Sequence, residues 1–145
     1  MNIHRATQAD IEELAVLFDG YRVFYDQPSD LALAKSFITE RINKQQSTIF
    51  MARNDQEKAV GFVQLYPIFS SVSAKQSLLL NDLFVDQSAR RIGAGKGLMN
   101  AAKEFADEID ACWLMLQTYK TNKNAQKLYE SLGYQRDEDC YYYYL

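Results

Sequence analysis

The feature that most constrains this chain is a glycine-rich turn between an apolar run and an amphipathic stretch. The segment LLLNDLFVDQSARRIGAGKGLM, residues 78–99, passes from apolar residues through a short polar link to Gly93 and Gly95. Glycines let the backbone approach a ligand without an intervening Cβ, and the free amides at a helix start point at that ligand with the positive end of the helix dipole. The segment therefore predicts a strand, an anion-binding turn and a helix.

Two commoner glycine motifs do not fit this turn. A P-loop requires G-x-x-x-x-G-K-[ST], but Lys96 is followed by Gly97, and the residue five positions before Gly95 is Arg90. The dinucleotide fingerprint G-x-G-x-x-G also fails, because the sixth residue counted from Gly93 is Leu98. Both nucleotide-binding classes are excluded.

Apolar periodicity divides the rest of the chain into strands and helices. Thr7 and Asp10 have the spacing of a capping box, Ser29 is predicted to cap a second helix, and Gly133 is placed to end the last one. The expected strands are residues 3–5, 48–53, 59–66, 77–85, 111–118 and 140–145, and the later helices are residues 95–109 and 122–132. This order predicts a mixed α+β sheet with helices on its faces.

Bulk properties set limits on domain number, compartment and partners. A length of 145 residues predicts a single domain spanning 1–145, and a net charge of −3 argues against a nucleic-acid surface. No apolar run resembles a signal peptide or a membrane span, and Cys112 and Cys140 are not in a C-x-x-C pair, so we expect a cytoplasmic protein with reduced thiols. The only histidine, His4, has no partners at metal-ligand spacing, so no metal is expected.

Two motifs resemble those of the GNAT superfamily of N-acetyltransferases. R-x-x-G-x-G at Arg90, Gly93 and Gly95 resembles the loop that binds the pyrophosphate of acetyl-CoA. The second motif, N-x-x-A-x-x-L-Y-x-x-x-G-[FY], is formed by Asn122, Ala125, Leu128, Tyr129, Gly133 and Tyr134. The resemblance covers essentially the whole chain and implies the GNAT fold, a mixed and mostly antiparallel sheet with helices on both faces.

The resemblance also implies a cofactor site for acetyl-CoA. It places the backbone of Leu83, Phe84 and Val85 beside the acetyl group. It assigns the pyrophosphate to the backbone amides of Arg91, Ile92, Gly93, Ala94, Gly95 and Lys96. The side chains of Arg90, Arg91 or Lys96 would add charge-assisted contacts. Asn122 is interpreted either as a cofactor contact or as a helix cap.

The same resemblance assigns Tyr129 as the general acid that protonates the departing CoA thiolate. The general base is less defined. Asp82 is the nearest acidic candidate, and a water relay involving Tyr21, Tyr25 or Asp26 is the alternative. We expect the side chain of Asp82 to point to the sheet face opposite to that of its neighbours.

Within the superfamily, LLLNDLFV is similar to a strand of the spermidine/spermine acetyltransferases. Asn81 stands where that subgroup has a glutamate, which counts against polyamine specificity. The segment YRVFYDQPSD resembles the substrate-facing region of small-amine acetyltransferases, so Tyr21, Tyr25, Asp26 and Asn81 are predicted to contact the acceptor.

These features favour acetyl transfer to a primary amine of a small molecule, without a metal and without nucleic-acid or membrane partners. The alternatives are a protein or peptide amine acetyltransferase and a CoA-binding regulatory module without catalysis. Many members of the superfamily that the chain resembles are homodimers, and the aromatic segment 140–145 and the apolar run YPIF offer surfaces for a twofold contact, so we expect a homodimer.

Overall fold

A computed structural model describes residues 1–145 and arranges them around one five-stranded sheet with strand order β1-β2-β3-β4-β5. The strands are β1 (Asn2–Arg5), β2 (Thr48–Arg53), β3 (Ala59–Ser70), β4 (Lys75–Val85) and β5 (Leu114–Leu116). The helices are α1 (Ile11–Phe24), α2 (Leu31–Asn43), α3 (Ala94–Glu108) and α4 (Lys123–Ser131). Neighbouring strands from β1 to β4 are antiparallel, whereas β4 and β5 are parallel. The predicted α+β fold with a mostly antiparallel mixed sheet is confirmed.

Helices cover both faces of the sheet because the strands bury apolar side chains on both sides. On one face α1 and α2 pack through Leu14, Phe18 and Ile38 against residues such as Phe62. On the other face Leu98 and other α3 residues pack on a second cluster, which includes Val60, Val63, Leu65, Leu78 and Leu80. None of the four helices combines the length and the apolar character that a membrane crossing requires.

The helix ends test three predictions from the sequence. Thr7 and Asp10 form the expected capping box, which starts a short 3-10 turn that leads into α1. Gly133 ends α4 as predicted, in the left-handed conformation with φ +91°, which glycine adopts without strain. The predicted Ser29 cap is wrong: Asp30 caps α2 by accepting a hydrogen bond from the Leu33 N–H, while the Ser29 hydroxyl donates to Asp19.

A bulge in β4 changes the alternation of side chains between the two faces. Leu65 of β3 pairs with Leu80, but the preceding residue, Gln64, pairs with Asp82, so Asn81 is the extra residue. Leu80 packs in the cluster beneath α3, whereas Asp82 shares a face with Gln64, on the side of α1 and α2. Asp82 faces away from its neighbour Leu83, as strand alternation predicted, and the bulge also puts Leu80 and Asp82, two positions apart, on opposite faces.

Two predicted strands are corrected by the structure. The strand expected at residues 111–118 is reduced to Leu114–Leu116, and residues 140–145 form no strand. No backbone hydrogen bond joins residues 140–145 to β5, and the terminal tyrosines reach this region only through their side chains. The Tyr142 hydroxyl lies 3.2 Å from the Met115 Sδ, and the four tyrosines from 141 to 144 stay exposed.

Candidate active site

A gap opens in the sheet where β4 continues beyond β5. Only Leu78–Leu80 of β4 pair with β5, so the stretch from Asn81 to Val85 has no neighbouring strand on that edge. Leu83 and Val85 pack toward α3, and Phe84 packs toward α1. The three residues predicted to accompany the acetyl group therefore line a free strand edge, where backbone groups are open to a ligand.

The turn before α3 presents backbone amides without partners. The first hydrogen bond of the helix joins the Gly97 N–H to the Gly93 carbonyl at 2.9 Å. The amides of Ala94, Gly95 and Lys96 consequently have no acceptor within the helix. Gly93 has φ +90° and Arg91 has φ +64°, and these left-handed residues curl the chain around the helix end. Such a turn can bind an anion.

The charges around this turn point to the same ligand class. Arg90, Arg91 and Lys96 are exposed and none of them is in an ion pair, while the first turn of α3 contains no acidic residue. Cations at the positive end of a helix dipole are unfavourable unless an anion joins them. Ile92, the remaining predicted residue of the turn, is exposed between the arginines and α3.

Helix α4 forms the opposite wall of the gap. A Cβ on Gly95 would lie 3.6 Å from the Leu128 Cδ2 and 3.9 Å from the Val85 Cγ2, so the start of α3 faces both β4 and α4. Asn122 caps α4 by accepting a hydrogen bond from the Ala125 N–H. This observation supports the helix-cap interpretation of Asn122 and leaves its side-chain amide nitrogen available to a ligand.

Tyr129 lies on α4 next to Leu128 and is half-buried. Burial raises the pKa of its phenol, and the nearby Tyr25 phenol adds to the shift. Tyr129 therefore remains protonated at neutral pH and can donate a proton. Its ring packs near that of Tyr134, with centroids 6.1 Å apart, and burial raises the pKa of Tyr134 to about 12.

An aromatic wall on the α1 side connects this region to Asp82. The Tyr21 and Tyr25 rings have centroids 5.0 Å apart, and Tyr25 lies 5.9 Å from Tyr119 in the segment after β5. The Tyr21 hydroxyl donates to the Asn81 carbonyl at 3.4 Å. The structure thus brings Tyr21, Tyr25, Asn81 and Asp82 together; that they contact an acceptor stays a prediction.

Asp82 is the acidic group at the centre of this region, with only 3% of its surface exposed. Burial raises the pKa of its carboxyl, while hydrogen bonds from Gln64 and Asn81 and the nearby Tyr21 hydroxyl oppose the shift. The Asn81 amide donates to the Asp82 Oδ1 at 2.9 Å. A carboxylate with a raised pKa is suited to accept a proton from a substrate.

The structure departs from the predicted acceptor site at three residues. Asp26 lies in the turn after α1, exposed and with φ 62°, and its side chain does not join the cluster around Asp82. Gln64 and Tyr66 of β3 were not predicted, yet both face the Asp82 side of the sheet. A polar residue inside the apolar run of β3 was the one sequence signal that pointed to Gln64.

Comparisons with known proteins agree with this geometry. Residues 11–134 match the model of the acetyltransferase (GNAT) family. The chain is 46% identical to YhfO, an uncharacterized N-acetyltransferase of Bacillus subtilis, over 100% of this chain and 97% of that protein. It is also 35% identical to a probable acetyltransferase of Haemophilus influenzae, over 72% of each.

A solved structure supports the same relationship. The crystal structure of a probable acetyltransferase superposes on this chain with a TM-score of 0.95 and 38% identity, covering 100% of this chain and 97% of that one. The matched residues include those of the glycine-rich turn, of β4 and β5, and of α4. The chain therefore belongs to the GNAT family and is an acetyltransferase.

Proposed function

We propose that this acetyltransferase transfers the acetyl group of acetyl-CoA to a primary amine of a small molecule. The observation that carries the proposal is that two different chemistries meet at the free edge of β4. Unpaired amides and unpaired cations lie beyond its end at Val85, and a buried carboxylate lies near its beginning at Asn81. The first set suits a pyrophosphate and the second an ammonium group.

The residues at the turn fit the phosphate end of acetyl-CoA. The amides from Arg91 to Lys96 would bind the pyrophosphate, and Arg90, Arg91 and Lys96 would add charge-assisted hydrogen bonds. Gly95 brings the start of α3, with its free amides, close to Leu128 and Val85, since a Cβ there would already be in van der Waals contact with both side chains. The free backbone of Leu83, Phe84 and Val85 would then hold the arm that connects the phosphates to the thioester by strand-like hydrogen bonds.

The acceptor loses two protons during the reaction. Asp82 accepts the first from the ammonium group, directly or through water, and passes it to solvent. The neutral amine attacks the thioester, so a C–N bond forms and the C–S bond breaks, and the second nitrogen proton leaves to water. Tyr129 gives its phenolic proton to the CoA thiolate and recovers one from solvent. A backbone N–H aimed at the oxyanion would lower the barrier by about 3 kcal/mol.

The charges on the acceptor side favour a monoamine over a polyamine. Asp82 is the one carboxylate in the cluster, and the neutral amide of Asn81 is used to hold it. A site with one negative charge matches one ammonium group. A second ammonium would have to leave water without a counterion, which is costly.

A panel of acceptors tests the proposed function. CoA release would be measured with alkyl and aryl monoamines, with diamines and triamines of matched length, and with peptides that carry a free α-amine or lysine. We expect the highest kcat/KM for a monoamine. Activity confined to peptides would replace the proposal by protein acetylation, and acetyl-CoA binding without turnover of any amine would favour a regulatory module.

We also propose that the chain forms a homodimer. Phe69 and Val72, near the tip of the β3–β4 hairpin, are 78% and 100% exposed, and the terminal tyrosines add further exposed apolar surface. Surface of this kind marks protein contacts. Sedimentation should give a dimer at micromolar concentration and a monomer for the Phe69→Ser, Val72→Ser double variant; a monomeric parent protein would refute the dimer.

A further inference from the structure

Gln64 is a fully buried amide on β3, between the apolar residues Val63 and Leu65. Apolar side chains lie near Gln64 on the same face of the sheet. One of them is Phe62, which belongs to the core formed with α1 and α2. A buried amide costs folding free energy unless both of its ends are hydrogen-bonded. An apolar residue would fill this position without that cost, so packing alone does not account for a glutamine here.

Both ends of the Gln64 side chain have partners. The Ser47 hydroxyl donates to Oε1 at 2.7 Å, and Nε2 donates to the Oδ2 of Asp82 at 2.5 Å. A hydroxyl can bond either end of an amide, but an ionised carboxylate only accepts, so the amide nitrogen has to face Asp82. The orientation of Gln64 is therefore matched to the charged form of Asp82.

The carboxylate of Asp82 is held on both oxygens. Gln64 donates to Oδ2 from the neighbouring strand β3, and Asn81 donates to Oδ1 from the exposed bulge. We propose that Gln64 is a positioning residue that keeps the Asp82 carboxylate ionised and oriented toward the acceptor amine. This role rests on the proposed function of Asp82 as the proton acceptor. A hydrogen bond to a charged group stabilises that charge more than it would stabilise the neutral acid.

The other ionisable groups around Asp82 do not titrate in the pH range in which its carboxyl does. Tyr21 on α1, Tyr25 directly after α1 and Tyr66 on β3 face Asp82, and burial raises the pKa of all three phenols. The charge that reaches this side from α2 is that of Arg41, which acts on Tyr66. The phenols stay neutral where amine acetylation is assayed, so Asp82 is the group in this cluster that titrates at lower pH.

The pH dependence of kcat/KM tests the role of Gln64. Gln64→Leu removes the donor to Asp82, and we expect the acid limb of the profile to move up by about one pH unit. At pH values above this limb, kcat/KM of the variant should be within about twofold of that of the parent protein. Gln64→Glu places a second carboxylate beside Asp82 and should move the limb at least as far. An unmoved limb in Gln64→Glu, or an equal loss at every pH in Gln64→Leu, would overturn the proposal.

Two further measurements separate this proposal from others. Ser47→Ala breaks the other end of the amide network but keeps the donor to Asp82, so it should lower thermal stability with little movement of the limb. Carbon-13 NMR titration of the Asp82 carboxyl in acceptor-free protein should give the same upward shift in Gln64→Leu. A shift seen without turnover of any amine refutes the proposed function alone, and an unchanged titration refutes the role of Gln64.

Discussion

The Tyr21 hydroxyl donates a hydrogen bond to the Asn81 carbonyl oxygen at 3.4 Å, which ties α1 to the bulge in β4. Burial, and then the negative charge of Asp82, raise the pKa of Tyr21. Tyr21 is therefore a neutral donor throughout the neutral range, and it cannot itself serve as the base there. In the proposed reaction this leaves Asp82, or water ordered by the tyrosines, to accept the proton.

We expect Asp82→Asn to lower kcat/KM at pH 7 by about 10²-fold, because the amide keeps the shape of the carboxylate but cannot accept a proton. The parent protein should lose activity as the pH falls through the pKa of Asp82, which burial raises above its usual value of 3.8. The variant should lack this acid limb. The measurement is the pH profile of kcat/KM at saturating acetyl-CoA.

The affinity for acetyl-CoA serves as the control for Asp82→Asn and should be unchanged, because Asp82 lies on the other side of the sheet from α3. A variant with the parent profile would show that water, ordered by Tyr21 and Tyr25, accepts the proton.

Substitutions at Gly93 and Gly95 should weaken the binding of acetyl-CoA in calorimetric titration. A Cβ at Gly93 would meet no neighbour within 4 Å, but φ +90° is strained for any other residue, so Gly93→Val should distort the turn. Gly95→Val places a branched side chain against Leu128 and Val85, where a Cβ is already in contact, so it should displace the start of α3 and the amides that it presents. Both losses should exceed about tenfold, which corresponds to about 1.4 kcal/mol.

Gly95→Ala is the matched control, because its methyl group would make only ordinary contacts at 3.6 Å or more and should leave the melting temperature unchanged. Arg90→Ala should weaken binding modestly, and the difference should shrink at high salt. Parent-like affinity in both valine variants would contradict a phosphate site at this turn.

The stability of the N-terminal region should depend on the ionisation of Asp10. Burial raises the pKa of its carboxyl, but hydrogen bonds from Thr7, His4 and Arg53 outweigh burial and leave the pKa below its usual value of 3.8. The folded state is therefore stabilised by this group above pH 3.8, and that stabilisation is lost as the pH falls through the lowered pKa. Asp10→Asn should lower the free energy of unfolding by about 1–2 kcal/mol at pH 7.

Chemical denaturation of Asp10→Asn and of the parent protein at pH 7 and at pH 3 measures this dependence. The difference in the free energy of unfolding between the two proteins should be smaller at pH 3. Thr7→Ala removes the side-chain cap but keeps the ion pair between Asp10 and Arg53. This variant should therefore lose less free energy of unfolding, and the loss should depend less on pH. A difference for Asp10→Asn that is equal at both pH values would contradict the linkage.

The parts of the fold that the sequence predicted are those with local physical causes. The capping box at Thr7 and Asp10, the left-handed Gly133 and the glycine turn before α3 each depend on residues a few positions apart. Helix and strand identity followed from periodicity, which reports the sheet face that a segment buries. The error at Ser29 was a shift of one residue between two good capping residues.

The rest depended on contacts between distant residues. The bulge at Asn81 is set by pairing with β3, and it decides that Asp82 shares a face with Gln64, 18 positions earlier in the chain. Residues 140–145 have strong β propensity, but a strand also needs a partner edge, and β5 offers only three residues. The aromatic pattern of residues 140–145 reports only the propensity of that segment, and it does not indicate how long β5 is.

Tyr129 is the side chain whose chemistry distinguishes an acetyltransferase from a protein that only binds CoA. Tyr129→Phe keeps the ring next to Leu128 and near Tyr134 but removes the transferable proton. Because the raised pKa of Tyr129 keeps its phenol protonated at neutral pH, the parent protein can protonate the thiolate in every turnover. We expect kcat to fall by about 10²-fold, while the dissociation constant for acetyl-CoA stays within about twofold.

Binding and turnover should therefore separate in Tyr129→Phe, and single-turnover kinetics with a saturating amine would measure the chemical step directly. Tyr134→Phe is the matched control, because its hydroxyl is buried without a hydrogen-bond partner and its removal should leave kcat unchanged. If Tyr129→Phe keeps the parent rate when chemistry limits turnover, water supplies the proton. Equal losses of stability and cofactor affinity in Tyr129→Phe would instead mean that the hydroxyl holds the walls of the gap together, which is a structural role.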